Sequence, residues 1–321
     1  GDAGRAAVEG WISTPAAQAV FKFAGQDLAA LSSAAEQRGF TARPLGLRAD
    51  ALIHSSQRTL NSANVVAVLP GAERPREYVL YSAHWDGLGS STGPEGTRIF
   101  PGAIDNASGV AAVLTIAQTL SRLPQHPPRS VVFFFGTAQQ SDLLGSAWYV
   151  DHPLFALKDT AAVINVDRMH IGGPTRDVTV VGYGQSELDN YLRVAATLQG
   201  REAHGELEPQ HGAFYGSDQF SFARGGVPAL MAGAGVDDTA RGPAWGRAQL
   251  QDYFLHRYQQ PADRYSADWD LRGTLQDLEL YLALGERLAH EWRFPHWNPS
   301  SEFRAVRERQ RPEDRNGRPV P

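Results

Sequence analysis

The sequence has no cysteine in its 321 residues. It can therefore form neither a disulfide nor a thiolate metal site, and any metal must be held by His, Asp, Glu or amide oxygen. Lysine is nearly absent as well: of 30 basic residues only Lys22 and Lys158 are lysines, a bias read as genome composition. No excess of positive charge exists, with 35 acidic residues against 30 basic and a net charge of -5. That balance leaves no basic face for a nucleic-acid backbone and excludes a polynucleotide partner. No apolar stretch reaches the about 18 to 20 residues of a membrane span, and no signal-peptide pattern opens the chain. A first residue Gly1 in place of Met is expected of a processed or trimmed chain. What is present, 42% hydrophobic and 20% charged residues, describes one large globular domain or two small ones.

Short apolar runs ended by Gly, Pro or polar residues mark the strands: Asn64 to Leu69, Tyr78 to His84, Ser130 to Phe135, Ala161 to Val166, Val178 to Val181 and Val227 to Met231. Runs this continuous predict strands covered on both faces. Thr14-Pro15 opens a first helix and Asp27 a second that stops at Gly39. A stripe of Val110, Val113, Leu114, Ala117 and Leu120 predicts a helix over Ala107 to Ser121. Leu275, Leu278, Leu282 and Leu288 predict another over Thr274 to Trp292. Strands alternating with helices imply an α/β fold, a three-layer sandwich with a mixed, mostly parallel sheet flanked by helices. Residues 1–303 read as a single domain with a helical segment, 1–60, packed on it, and the Arg- and Pro-rich residues 304–321 as an extended or disordered tail.

Reactive groups in open α/β sheets collect past the carboxyl ends of strands. His84 and Asp86 follow the second strand in YSAHWDGLG, Asp105 lies in PGAIDNASG ahead of a helix, and Asp167 ends AAVINVD. Taken singly, Asp105 reads as a helix cap and His84 as a hydrogen-bonded strand-end histidine. Three such residues at neighbouring strand ends point instead to a metal site, because imidazole with carboxylates is a donor set that Zn²⁺ accepts.

The segments YSAHWDGLG, GAIDNASG, GTAQQSDLLGS, INVD, FYGSDQFSFARGGVPAL and YQQPADRYSADWDLRG, in this order, resemble metallopeptidase family twenty-eight, the co-catalytic zinc aminopeptidases, from about Trp11 to Phe303. The likeness is greatest to the bacterial extracytoplasmic branch and implies a periplasmic or secreted protein. Relatives of that branch often carry a protease-associated domain ahead of the position of Trp11; its absence here is expected of a trimmed chain or of a lineage without one. The resemblance implies that His84 and Asp167 hold one zinc ion, that Asp105 bridges to a second, and that Asp86 orients His84 from behind. Where the family has a Glu-Glu pair, general base then ligand, this chain has Gln139 and Gln140, and Gln259 stands in place of the distal His ligand. Gly216 and Gln219 replace the usual Arg and His, while Ser217 and Asp218 match.

An amide is neutral and non-basic, so Gln139 cannot take a proton from water, and Gln140 and Gln259 are poor zinc donors. The resemblance thus implies at most one zinc ion, on His84, Asp105 and Asp167. Arg168, directly after Asp167, either points to solvent or supplies the positive charge that a second ion would have given. Arg168, Ser217, Asp218 and Gln219 are expected to line the cleft. His256 is expected to face outward, His170, His204 and His211 to be loop histidines, and Trp269 and Trp297 to be packing residues. Glutaminyl cyclases, which share the fold, keep the opposite half of the ligands, so cyclase activity is not implied. Three functions stay open: a non-hydrolysing pseudoenzyme binding a peptide, amino-acid derivative or protein partner; a one-metal hydrolase or acyl-transfer enzyme; and an ordinary aminopeptidase inactivated by engineering.

Overall fold

The computed structural model describes residues 10–54 and 59–311. The chain divides after Leu60 into two compact units. The first contains helices α1 (Thr14–Phe23) and α2 (Leu28–Ala35). Ser13 caps α1 through the Ala16 N–H, one residue earlier than expected, with Pro15 in the first turn. Asp27 caps α2, accepting from the Ala29 and Ala30 N–H groups.

The second unit runs β1 (Val65–Leu69), β2 (Arg74–His84), β3 (Gly89–Gly93), β4 (Gly96–Phe100), α3 (Gly109–Ser121), β5 (Arg129–Gly136), α4 (Leu144–Asp151), β6 (Thr160–Asn165), β7 (Asp177–Val181), α5 (Leu188–Leu198), β8 (Glu202–Gly205), α6 (Gln219–Arg224), β9 (Ala229–Ala234), α7 (Gly242–His256), α8 (Arg272–His290) and α9 (Arg304–Gln310). Its main sheet has the order β1-β5-β2-β6-β9-β7-β8, and β3 with β4 forms a separate hairpin. The neighbours β5, β2, β6 and β9 are parallel, whereas β1 and β7 pair antiparallel with β5 and β9. Every described strand segment expected from the sequence is present. The β5 and β6 runs are buried along their whole length, as sandwiching between two helical layers requires. One core packs α3, α5 and α8 against the sheet; the other packs residues of α4 and α6 with Trp297 and Phe303 on the opposite face. Helices on both faces of a mostly parallel sheet make the expected three-layer sandwich.

Two helical stripes differ from expectation. On α3 the buried line is Gly109, Ala112, Val113, Ile116 and Leu120, and Leu114 is exposed. On α8 it is Asp277, Leu280, Tyr281, Leu284, Gly285 and Leu288, and Leu275 is exposed. The α8 sequence carries leucine on more than one face, so periodicity alone leaves its rotation open. Close approach fixes it: Gly285 faces Tyr81 of β2, whose hydroxyl donates to Tyr281 O (2.8 Å). A methyl at 285 would collide with that phenol oxygen. Gly285→Ala is accordingly expected to destabilise the fold by about 1 to 3 kcal/mol, read as a lower urea midpoint.

The tail also differs. Residues 304–310 are helical, and Arg307 is buried with its guanidinium donating to Leu157 O (2.9 Å) and Thr160 O (2.8 Å). Carbonyls at the start of β6 provide the anchoring that composition does not reveal. The expectation for 312–321 lies outside the described residues.

Candidate metal centre

Parallel strands β2, β5 and β6 end on the same edge of the sheet, and each delivers part of the site there. His84 is the last residue of β2, Asp167 follows β6, Gln139 and Gln140 follow β5, and Asp105 comes from the loop ahead of α3. The sequence signal that linked His84, Asp105 and Asp167 holds in space. His84 Nε2 lies 3.1 Å from Asp105 Oδ1 and 3.7 Å from Asp167 Oδ1, and all three residues are buried. Their donor atoms fall within 4.8 Å of one another. Two ligands of a tetrahedral zinc ion with bonds near 2.0 to 2.2 Å stand about 3.3 Å apart, so these separations suit one ion. Among the described residues Asp167 Oδ1 has no hydrogen-bond partner although it is buried, which is what a carboxylate oxygen reserved for a cation would show. The other oxygen, Oδ2, accepts from Ser217 Oγ (3.2 Å).

Electrostatics bind the cluster together. Burial alone would lower the His84 pKa, but the hydrogen bond to Asp105 and the nearby carboxylates of Asp167 and Asp86 more than reverse this and hold it at about 12. Burial would likewise raise Asp167; the Arg168 charge and the His84 imidazolium bring it down to about 2. A cation entering the site must displace the His84 proton. Asp86 grips the structure on two sides. Its backbone oxygen lies 3.1 Å from His84 Nδ1, and its carboxylate accepts from the backbone N–H groups of Gln139 (3.0 Å) and Gln140 (3.1 Å). It therefore orients His84 and frames the loop after β5.

The three glutamines take distinct places. Gln140 Nε2 donates to Asp105 Oδ2 (3.3 Å), and Gln259 Nε2 donates to Gln140 Oε1 (2.7 Å). Gln139 turns to Gly216, donating to its carbonyl (3.1 Å). The outer oxygen of Asp105 is thus held by a neutral amide chain.

Arg168 points inward rather than to solvent. Its backbone is left-handed (φ 58°), a conformation that costs a non-glycine residue about 1 kcal/mol or more, and its N–H donates to Asn106 Oδ1 (3.0 Å). Among the described residues its guanidinium has no carboxylate within ion-pair distance; it lies over the rings of Tyr258 (5.2 Å) and Phe254 (5.8 Å). The field of Asp167, with lesser contributions from Tyr258 and Asp105, outweighs the burial penalty and keeps it charged.

Gln219 was expected in the cleft and is instead fully buried behind it. Its Oε1 accepts from Asn165 Nδ2 (2.9 Å) and its Nε2 donates to Phe214 O (3.0 Å), which braces the end of β6. An amide can accept and donate at once, so it satisfies this interior position. Asp218 is buried too, with neither oxygen hydrogen-bonded among the described residues, while the nearby Ser146 hydroxyl is committed to Leu143 O and Ser221 Oγ. Desolvation raises its pKa from 3.8 to about 6. Stability from the neutral form is therefore full below about pH 4 and is lost as pH rises through about 6. Asp218→Asn is expected to stabilise the chelator-treated chain by about 2 to 3 kcal/mol at pH 8 and to change little at pH 4, measured by urea denaturation at both pH values.

His256 faces outward, paired with Asp252. His204 is not a loop residue: it lies on β8 with Nε2 2.9 Å from Asp177 Oδ2. Trp297 packs in the core. Sequence reasoning missed Asp263, whose carboxylate accepts from the backbone N–H groups of Ile104 (2.8 Å) and Asp105 (3.0 Å) and so fixes the loop that carries Asp105. It also missed Tyr253, whose hydroxyl is buried without a partner among the described residues. The QPAD segment contains Asp263 and was the available signal; nothing in the sequence singles out Tyr253.

The family model for peptidase family M28 matches residues 64–283. Aminopeptidase NAALADL1 of Mus musculus is 31% identical over 129 residues, covering 39% of this chain and 16% of that protein. The probable lipoprotein aminopeptidase LpqL of Mycobacterium tuberculosis is 29% identical over 228 residues, covering 65% of this chain and 42% of that protein. The chain therefore spans less than half the length of either relative. The solved LapA aminopeptidase of Legionella pneumophila superposes with a TM-score of 0.54 at 20% identity, over 72% of this chain and 55% of that one. BSAP, a zinc aminopeptidase from Bacillus subtilis, gives 0.51 at 21% identity, over 75% and 52%. At such identities the structural likeness concerns the fold.

Proposed function

The chain belongs to peptidase family M28, and we propose that it is a member that binds rather than cleaves: its centre holds at most one zinc ion and no longer hydrolyses peptides. The observation that carries this reading is the amide chain on Asp105. Where the resemblance expects a carboxylate and an imidazole to hold a second ion, Gln140 donates to Asp105 Oδ2 and is itself held by Gln259. An N–H pointed at the carboxylate oxygen opposes a cation there, and neutral amide oxygens offer it little in exchange. Gln139 stands where a general base is needed, and it cannot take up a proton.

His84, Asp105 and Asp167 would hold the remaining ion, which when bound supplies Lewis acidity toward a carbonyl oxygen. Arg168 contributes a second, permanent positive charge beside Asp167 and Asp105 and offsets part of their repulsion. The ligand we assign to the cleft is a peptide, amino-acid derivative or protein partner, met outside the cytoplasm. A second reading, a one-metal hydrolase or acyl-transfer enzyme, is favoured by the unpartnered Asp167 Oδ1, which leaves the first ion's ligand set intact.

Two measurements on the chain as it stands test the proposal. Elemental analysis after purification without chelator is expected to give one zinc or none. Aminoacyl p-nitroanilides with added zinc are expected to turn over at least about 100-fold more slowly than with active relatives, since a positioned base is worth about 10² to 10⁴ in rate. Turnover near that of active relatives overturns both readings.

A further inference from the structure

The cleft contains two hydrogen-bond donors that meet no anionic acceptor among the described residues. The Arg168 guanidinium lies over the rings of Tyr258 and Phe254, has the Tyr258 hydroxyl as its hydrogen-bond neighbour, and has no carboxylate within ion-pair distance among the described residues. The Tyr253 hydroxyl is buried and has no hydrogen-bond partner among the described residues. The two belong to one neighbourhood: Tyr253 packs on Tyr258 (ring centroids 5.9 Å), Tyr258 packs under Arg168, and Tyr253 and Arg168 lie within each other's electrostatic reach. A left-handed backbone at Arg168 aims its side chain there, and strain of this kind persists where the surrounding structure has a use for it. Beyond the donors, Phe254 presents an exposed ring against Tyr258 (5.3 Å) and continues the wall in apolar material.

We propose that this cleft receives an organic carboxylate on an apolar body, its oxyanion held by the Arg168 guanidinium and the Tyr253 hydroxyl and its body lying along Phe254 and Tyr258. Guanidinium and phenol are both pure donors toward such a group, and the guanidinium fork matches two carboxylate oxygens. A phosphate dianion fits less well, because Asp105 and Asp167 stand close by and repel the second charge. The proposal rests on reading the cleft as one that binds without cleaving, and it adds the ligand's chemistry. Two sources offer the same group, a free small acid and the C-terminus of a peptide.

Isothermal titration of the full chain separates them, using N-acetylphenylalanine against its amide and Ala-Ala-Phe against its C-terminal amide. One or both acids should bind about 10-fold or more tightly than the matched amide, the scale of charge-assisted hydrogen bonds. Arg168→Gly should bring acid and amide within about 2-fold, and Tyr253→Phe should cut the preference about 3-fold. Glycine suits the left-handed backbone at 168, so this variant keeps the fold. Arg168→Lys, as a second probe, should retain part of the preference because charge survives while the fork is lost. Equal affinity for acid and amide, absence of binding by both, or a preference that survives Arg168→Gly overturns the proposal. Zinc content and p-nitroanilide turnover on the same samples keep the two readings apart. A chain that cleaves yet prefers acids defeats the earlier reading alone, and an inert chain without acid preference defeats this one alone.

Discussion

The chain carrying Gln139→Glu, Gln140→Glu and Gln259→His together is expected to bind two zinc ions and to hydrolyse aminoacyl p-nitroanilides about 10² to 10⁴ times faster than the parent. The frame for this gain is already in place. Asp86 holds the backbone N–H groups of residues 139 and 140, so new carboxylates would enter on a fixed loop. Asp263 likewise holds Asp105 by its backbone, leaving the carboxylate free to share a second ion. Gln259 has a left-handed backbone (φ 56°), a region in which histidine is enriched among non-glycine residues, so the imidazole is tolerated there. Single changes should fall far short of the triple one, because a general base without the second ion, or the reverse, leaves half of a unit that acts together. Zinc content by elemental analysis reads the first effect and initial rates the second. If the triple variant binds no more metal than the parent, the correspondence of these positions to a second metal site is wrong.

Arg201→Met is expected to be the costliest of simple core substitutions, at about 3 to 5 kcal/mol. The side chains of Arg201 and Asp277 are both about 1% exposed, and Nη1 stands 2.8 Å from Asp277 Oδ1, an ion pair rather than an aligned hydrogen bond. The other terminal nitrogen donates to Thr175 Oγ1 (2.8 Å) and Asp177 O (2.9 Å). Removing the guanidinium strands a carboxyl in the interior beside α8. Burial already pushes the Asp277 pKa up, and the Arg201 charge is the first of the forces opposing it. Without Arg201 a raised carboxyl makes the loss smaller in acid and larger as pH rises. Arg201→Met with Asp277→Leu should recover most of the stability, since two apolar side chains of similar volume replace the pair. Urea unfolding at pH 5 and pH 8 measures all three variants; a single-variant cost below about 1 kcal/mol would mean that water reaches the pair.

Much of this molecule was legible in its sequence because the sheet is buried on both faces. Runs such as SVVFFF and AAVINV permit little else, and the strand ends that follow them place His84 and Asp167 on one edge. Asp105 could be joined to them because its motif precedes a helix, and in open α/β sheets reactive groups collect past the carboxyl ends of strands. The helix rotations were not legible, since Leu275 and Leu280 look alike until Gly285 meets Tyr81. Nor was the burial of Gln219, because a glutamine that donates and accepts inside the fold has the same letter as one in a cleft. Arg168 was legible as an oddity, while its direction depended on a backbone angle that no propensity predicts. Arg307 was hidden for a related reason: an Arg-rich segment reads as solvated until particular carbonyls accept its donors.

The grip of Asp86 on residues 139 and 140 has an evolutionary consequence. It is made entirely to main-chain N–H groups, which every amino acid except proline supplies. This part of the frame is therefore blind to an exchange of Glu for Gln at these positions, whose codons differ by a single base. Exchange between glutamate and glutamine at 139 and 140 thus leaves the main-chain frame of the site intact.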